Sequence, residues 1–344
     1  MSLQATIDAI ARPDEEAGAR AQAELDGKTK PRRSLGRLEE LAVQLAGIGI
    51  ENGRATAVVA AADHGYADEG VSAYPAEVTG QMLEVFSSGG AAASVLARTL
   101  DVELLVVDAG VATSRHDPRI RAVRIGAGTA NATRGSAMSR SDALAAIEAG
   151  VRLAGELAPS TSIVALGEMG IGNTTAASAL HAALLDVPPA AVCGRGTGLD
   201  PEGVRRKIQV VERALAANPA RPDPVDALAA LGGFEIALLV GVALGAAAER
   251  LAVVLDGFVV GAAALVAARL APASVGYMVA AHLSPEPGHR LGLDALGLRP
   301  LLDLELRLGE ATGALLAVPL LRSAIAIHAE MATFAGAKVT DAGR

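Results

Sequence analysis

Ile163-Val164-Ala165-Leu166-Gly167-Glu168-Met169-Gly170-Ile171-Gly172-Asn173-Thr174-Thr175 is the stretch that decides the fold. Four apolar residues run straight into three glycines, and an Ala-rich segment, Ala176 to Leu185, follows, so the order is strand, glycine loop, helix. Glycines let the backbone turn tightly and bring its N–H groups near a ligand. The start of the next helix adds unpaired donors and the positive end of its dipole. A phosphate is the natural guest. Two familiar patterns nearly fit. Asn173 stands where the P-loop needs its phosphate-reading lysine, and Thr175 stands where a dinucleotide fingerprint starting at Gly170 and Gly172 needs its third glycine. Neither pattern asks for Glu168. That carboxylate either holds a nitrogenous base beside the phosphate or only caps the helix and faces solvent.

Outward from this stretch the same texture recurs. Short apolar runs at Ala57 to Ala62, Leu104 to Val107, Ala252 to Leu255 and Tyr277 to Ala281 read as buried strands separated by helical stretches. Parallel strands joined by crossover helices explain this economically, which predicts a doubly wound α/β sheet. The segment from Leu3 to about Ile48 is helical, with Leu35, Leu38, Leu41 and Leu45 on one face and Pro31 as an interruption; from Pro300 onward the chain returns to helix. Residues 1–50 and 300–344 are therefore expected to build a small helical domain beside an α/β domain of residues 51–299. Asp63-His64-Gly65, Asp108-Ala109-Gly110, the central loop, Asp256-Gly257 and His282-Leu283-Ser284 all follow predicted strands. Open α/β sheets bind ligands at such carboxyl ends, although each Asp-Gly taken alone reads equally as a turn.

Composition narrows the function class. In 344 residues 51% are hydrophobic but only 2% aromatic, so Ala, Val and Leu form the core. The net charge is −8, with no basic tract or basic patch interleaved with aromatics, and nucleic-acid binding is not expected. Mean hydropathy is +0.37, yet the most apolar region, Ile236 to Ala268, is broken by Glu249, Arg250 and Asp256. No segment reaches the ~18 uninterrupted apolar residues of a spanning helix, and the acidic amino terminus lacks a signal-peptide core. A cytoplasmic protein without membrane contact is the expectation. Cys193 is the only cysteine, which rules out an intrachain disulfide.

Two further loops suit phosphate chemistry: Gly126-Ala127-Gly128-Thr129, and Gly194-Arg195-Gly196-Thr197-Gly198, which runs into a segment carrying Lys207. A lysine at that distance either reaches the same anion or lies on a solvated helix. The histidines at 64, 116, 181, 282, 289 and 328 show no H-E-x-x-H spacing or cysteine partner, so no metal centre is expected. The absence of a G-x-S-x-G elbow leaves an acyl hydrolase without its nucleophile.

Longer motifs carry a family resemblance. Ser34 to Glu39, Asp63-His64-Gly65 with Glu69 to Ser72, Tyr74-Pro75 and Glu77 to Met82, then Gly167 to Thr175, Gly194 to Asp200, Gly232 to Glu235, Leu255 to Gly257 and Arg307 to Glu310 resemble, in order, the nicotinate-nucleotide:dimethylbenzimidazole phosphoribosyltransferases. The resemblance implies a Rossmann-like sheet domain with a small helical domain drawn from both termini, assembled as a homodimer. It implies transfer of the 5-phosphoribosyl group from nicotinate mononucleotide to 5,6-dimethylbenzimidazole for the lower ligand of cobalamin, with no cofactor and no metal. By motif, Glu310 resembles the general base. Glu168 lies at the base and ribose site, and Gly170, Asn173, Thr174, Thr197, Gly198 and Lys207 surround phosphate and ribose. Ser72 and Gln81 match the segment lining the benzimidazole pocket. Leu306, Leu308, Leu315 and Leu316 are suited to keeping Glu310 dry. The competing class is a mononucleotide-binding sensor or P-loop-like NTPase; Asn173 argues against the second, and a sensor has no use for Glu310.

Overall fold

The computed structural model describes residues 2–113, 117–196, 198–219 and 222–340. His116 and Thr197 lie outside them. Six strands form one sheet: β1 (Ala55–Ala62), β2 (Glu103–Gly110), β3 (Ile120–Ala122), β4 (Ile163–Met169), β5 (Ala252–Leu255) and β6 (Met278–Ala280). Their order is β3-β2-β1-β4-β5-β6 and every neighbouring pair is parallel. The doubly wound α/β expectation holds. The five expected strands are present, and the addition is β3, a three-residue edge strand with little burial that no apolar run announces.

Every residue of β1 is buried, so helices cover both faces of the sheet at its centre. Helix Phe234–Ala248 packs across β1, β2, β4 and β5, and helix Thr312–Glu330 across β1, β4 and β5. The first of these lies against helix Arg140–Leu157 with backbones almost touching. A Cβ on Gly241 would come within 1.9 Å of the Ile147 carbonyl oxygen, and one on Gly150 within 2.1 Å of that of Leu238. Glycine is what allows this approach.

The amino-terminal region forms three helices, Leu3–Ala9, Glu15–Asp26 and Arg37–Ile48, because Pro13 breaks the pattern as well as Pro31. Helices Glu15–Asp26 and Arg37–Ile48 pack on each other and on Thr312–Glu330, whereas Leu3–Ala9 packs on Arg140–Leu157 and Phe234–Ala248. Thr312–Glu330 is the one described helix long and apolar enough to cross a membrane by length and composition. Here it is a sheet-covering helix, and its Arg322 donates to the backbone oxygens of Gly53, Leu100 and Asp101.

Candidate active site

The strand order reverses between β1 and β4, and the crevice at such a switch point is where open sheets receive ligands. The loops leaving these two strands pack on each other. A Cβ on Gly170 would lie 2.5 Å from the Ala62 carbonyl, and Gly172, in left-handed backbone (φ 94°), sits against His64 and Ala67. His64 Nε2 lies 2.6 Å from Glu235 Oε1 with both side chains wholly buried, which pins the Asp-His-Gly loop to the start of helix Phe234–Ala248. Thr79 reaches in from outside: its hydroxyl accepts from the Ile171 amide at 3.1 Å.

Beside the switch point, over the carboxyl ends of β4, β5 and β6, lies an open cleft of about 610 Å³, its mouth included. Its walls hold Glu168, Gly170, Asn173 and Thr174 from the central loop, Gly196, Gly257 and Phe258, His282, Ser284 and Glu286, and Leu306 to Gly309. One corner is built for an anion. Lys207 is fully buried, donates from Nζ to Thr174 Oγ1 at 2.9 Å, and stands beside Gly196 at the start of helix Asn173–Leu185. Burial lowers the Lys207 pKa, and the negative charge of Glu286 works against that. Glu286 Oε1 accepts from the Gly196 amide at 2.7 Å while its other oxygen lies against Gly194, so this carboxylate holds the glycine loop and adds a negative charge near the lysine.

The opposite wall is acidic. Asn173 Nδ2 donates to Glu168 Oε2. Burial, followed by the charges of Asp256 and Glu235, pushes Glu168 up to about 8, against the Asn173 amide. Asp256, at the end of β5, is raised to about 7 by burial, although the amides of Ala314, Gly313 and Ala311 oppose the shift. Glu310 is 4% exposed and raised by burial, with the Ala93 amide partly offsetting this, and its Oε2 has no partner among the described residues. His181, His282 and His289 are all lowered by burial, so they are neutral imidazoles at neutral pH.

Three consecutive residues in left-handed backbone, Gly309 (φ 86°), Glu310 (φ 61°) and Ala311 (φ 63°), carry Glu310 into this wall. Such a turn in non-glycine residues costs roughly 1–3 kcal/mol per residue and persists only where its surroundings over-determine it. Here the Glu310 amide donates to the Glu168 carbonyl at 3.1 Å. Gly167 has no Cβ because one would lie 2.1 Å from the Ala311 nitrogen. The glycine that opens the central loop therefore serves the far end of the chain.

Among the expected site residues, Glu168, Gly170, Asn173 and Thr174 line the cavity and Lys207 stands directly behind it. Glu310 is not in the lining, although Gly309 is, and its carboxyl is buried beside the wall. Gly198, Ser72 and Gln81 are not in the lining either; Gln81 is exposed and the Ser72 hydroxyl accepts from the Tyr74 amide. Dryness at Glu310 comes less from the leucines than expected: Leu315 is buried, but Leu308 is 57% exposed. Glu286 and Glu235 were legible only as carboxylates inside motifs, between prolines and after a double glycine, with nothing to mark their burial.

Glu168 and Asp256 sit well above their unfolded values, 4.5 and 3.8, and Glu310 is raised in the same direction. Their contribution to stability is complete below those values and is lost as pH climbs through about 7 to 8. The ligand-free protein is expected to melt at falling temperature from roughly pH 5 to 8 and to level off above that, and Glu168→Gln to flatten the slope. Scanning calorimetry across this window checks it; a melting temperature that rises contradicts the assignment.

A family model described as a phosphoribosyltransferase, DBI_PRT, matches residues 10–339. A nicotinate-nucleotide–dimethylbenzimidazole phosphoribosyltransferase from Chloroflexus aggregans is 51% identical over 346 residues, covering 98% of each chain. One from Pseudomonas fluorescens is 54% identical over 322 residues, covering 91% of each. The crystal structure of the protein of that name from Thermus thermophilus superposes with a TM-score of 0.90 at 48% identity, covering 95% of this chain and 99% of that one.

Proposed function

This chain belongs to the nicotinate-nucleotide–dimethylbenzimidazole phosphoribosyltransferase family, and on that footing we propose that it moves the 5-phosphoribosyl group of nicotinate mononucleotide to 5,6-dimethylbenzimidazole. The products are α-ribazole 5′-phosphate, used for the lower ligand of cobalamin, and nicotinate. The observation that carries this is one crevice with a lysine-backed anion corner on one side and, on the other, the buried carboxyl of Glu168 with that of Glu310 buried behind it. A mononucleotide needs the first, and a proton-losing nucleophile needs the second.

In this reading the phosphate sits at the start of helix Asn173–Leu185 with Thr174, the 194–198 loop and Lys207 around it, and the ribose and ring lie along Gly170, Asn173 and Glu168. The nicotinate ring is a pyridinium and departs as a neutral nitrogen, so no acid is needed at the leaving group. The imine nitrogen of the benzimidazole attacks the anomeric carbon from the opposite face and inverts it from β to α. Glu310 takes the proton from the second ring nitrogen as attack proceeds, which raises electron density at the first. Water must be kept out, because it would compete for the same carbon. Ser72 and Gln81 belong to the base-recognition segment in this proposal. So do a homodimer, a cytoplasmic location, and the division into residues 51–299 and a helical unit of 1–50 with 300–344.

No pyrophosphate departs, so no divalent cation is called for. Turnover is expected to persist in EDTA: purified protein, nicotinate mononucleotide and dimethylbenzimidazole should release nicotinate and α-ribazole 5′-phosphate in equal amounts. Mononucleotide binding without nicotinate release would support the sensor reading instead. Activity abolished by EDTA and restored by Mg²⁺ would overturn the metal-free mechanism.

A further inference from the structure

We propose that Asp256 is a positioning residue for Glu310, acting from β5 as the cap of the helix that Glu310 precedes. The inference rests on Glu310 being the base. Helix Thr312–Glu330 begins after Ala311, whose side chain cannot accept a hydrogen bond; the Thr312 amide finds the Gly309 carbonyl at 3.0 Å, but the next two amides have no local cap. Asp256 supplies it from elsewhere in the fold. Its Oδ1 accepts from the Gly313 amide at 2.7 Å and from the Ala314 amide at 3.0 Å. A cap normally comes from the residue just before the helix. Here it comes from a strand end 57 residues earlier.

The fit leaves little freedom. A Cβ on Gly313 would stand 2.1 Å from His282 Cδ2 and 2.9 Å from Asp256 Oδ1, so the helix start is wedged against both groups. On its other side the Glu310 amide is fastened to the Glu168 carbonyl on β4, with Gly167 admitting Ala311. The left-handed turn is thus held at one end by β4 and at the other by Asp256. Releasing the Asp256 end lets Glu310 and Ala311 relax toward ordinary backbone and carries the carboxylate away from the crevice. Displacement of a reacting group by about 1 Å costs on the order of 10²-fold in rate, with no need for a change in substrate affinity.

The test is a KM-against-kcat split with rescue. Asp256→Ala is expected to lower kcat roughly 10- to 100-fold with KM for nicotinate mononucleotide within about twofold. Asp256→Asn, which keeps an acceptor oxygen for both amides, is expected to recover most of that loss. Combined with Glu310→Gln, Asp256→Ala should add no further loss, since both act through one group. Three results would overturn the proposal: near-normal kcat in Asp256→Ala, no recovery in Asp256→Asn, or additive losses in the double variant. If Asp256→Ala does not fold, the Asn variant decides alone, because near-normal kcat is then required of it. Near-normal turnover of Glu310→Gln by itself removes the underlying base assignment, a failure distinct from the other three.

Discussion

Glu310→Gln is expected to reduce turnover roughly 10²- to 10⁴-fold while leaving mononucleotide binding and the fold close to wild type. Glutamine keeps the shape of the side chain and its ability to accept from the Ala93 amide, but it cannot take a proton. The environment suits a base: the group is buried, burial raises its pKa above the ordinary carboxylate range, and one oxygen has no partner among the described residues. Because the ionised form does the work, the wild-type rate should fall as pH drops, along an acid limb lying above the usual carboxylate values. The competing role is concrete. Ala93 lies in the first turn of helix Ala92–Thr99, whose cap residue Ala91 has no capping side chain, so Glu310 could serve only as that helix's anionic cap. A cap predicts a lower melting temperature and a spared rate. Soluble Glu310→Gln protein with near-normal turnover would settle the matter against the base, and Glu168 would be next to test.

Lys207→Ala is expected to weaken nicotinate mononucleotide binding roughly 30- to 4,000-fold, since removing one partner from a buried charged site costs about 2–5 kcal/mol. Binding of the benzimidazole should change far less. The lysine is fully buried, fixed to Thr174 and balanced by Glu286, and its charge lies at the helix start where a 5′-phosphate would sit. Lys207→Met retains the apolar stem and separates loss of charge from loss of packing. Titration calorimetry with each substrate gives the comparison. Equal losses for mononucleotide and base would contradict the placement of the phosphate.

The sheet was legible because its strands are continuous apolar runs and polar residues gather at their carboxyl ends. β3 was not, since Ile120-Arg121-Ala122 has no run and lies at an edge. The central loop was legible in type and place, and Glu168, Met169, Gly170, Ile171, Asn173 and Thr174 from it line the cavity. What no pattern signalled is conformation: Glu310 and Ala311 adopt backbone that sequence ordinarily announces with glycine. Long-range clasps were equally hidden. Asp256 read as a turn after a strand, and nothing in the sequence singled out Glu286, because their partners at Gly313 and Gly196 are distant in sequence. Gly167 looked like a phosphate-loop glycine, while the atom it makes room for belongs to Ala311.

The central placement of β1 has a consequence for synthesis. This fully buried strand is made early, β2 follows soon after, but β4, its other neighbour, comes about 100 residues later. At ~5–20 residues per second, one edge of β1 waits roughly 5–20 s on the ribosome for its partner. Throughout that interval it is an unpaired edge of Ala, Val and one Thr with no charge to guard it, open to the same segment on a neighbouring nascent chain. The strand at the middle of the finished sheet is therefore, during synthesis, an edge that a chaperone could usefully cover.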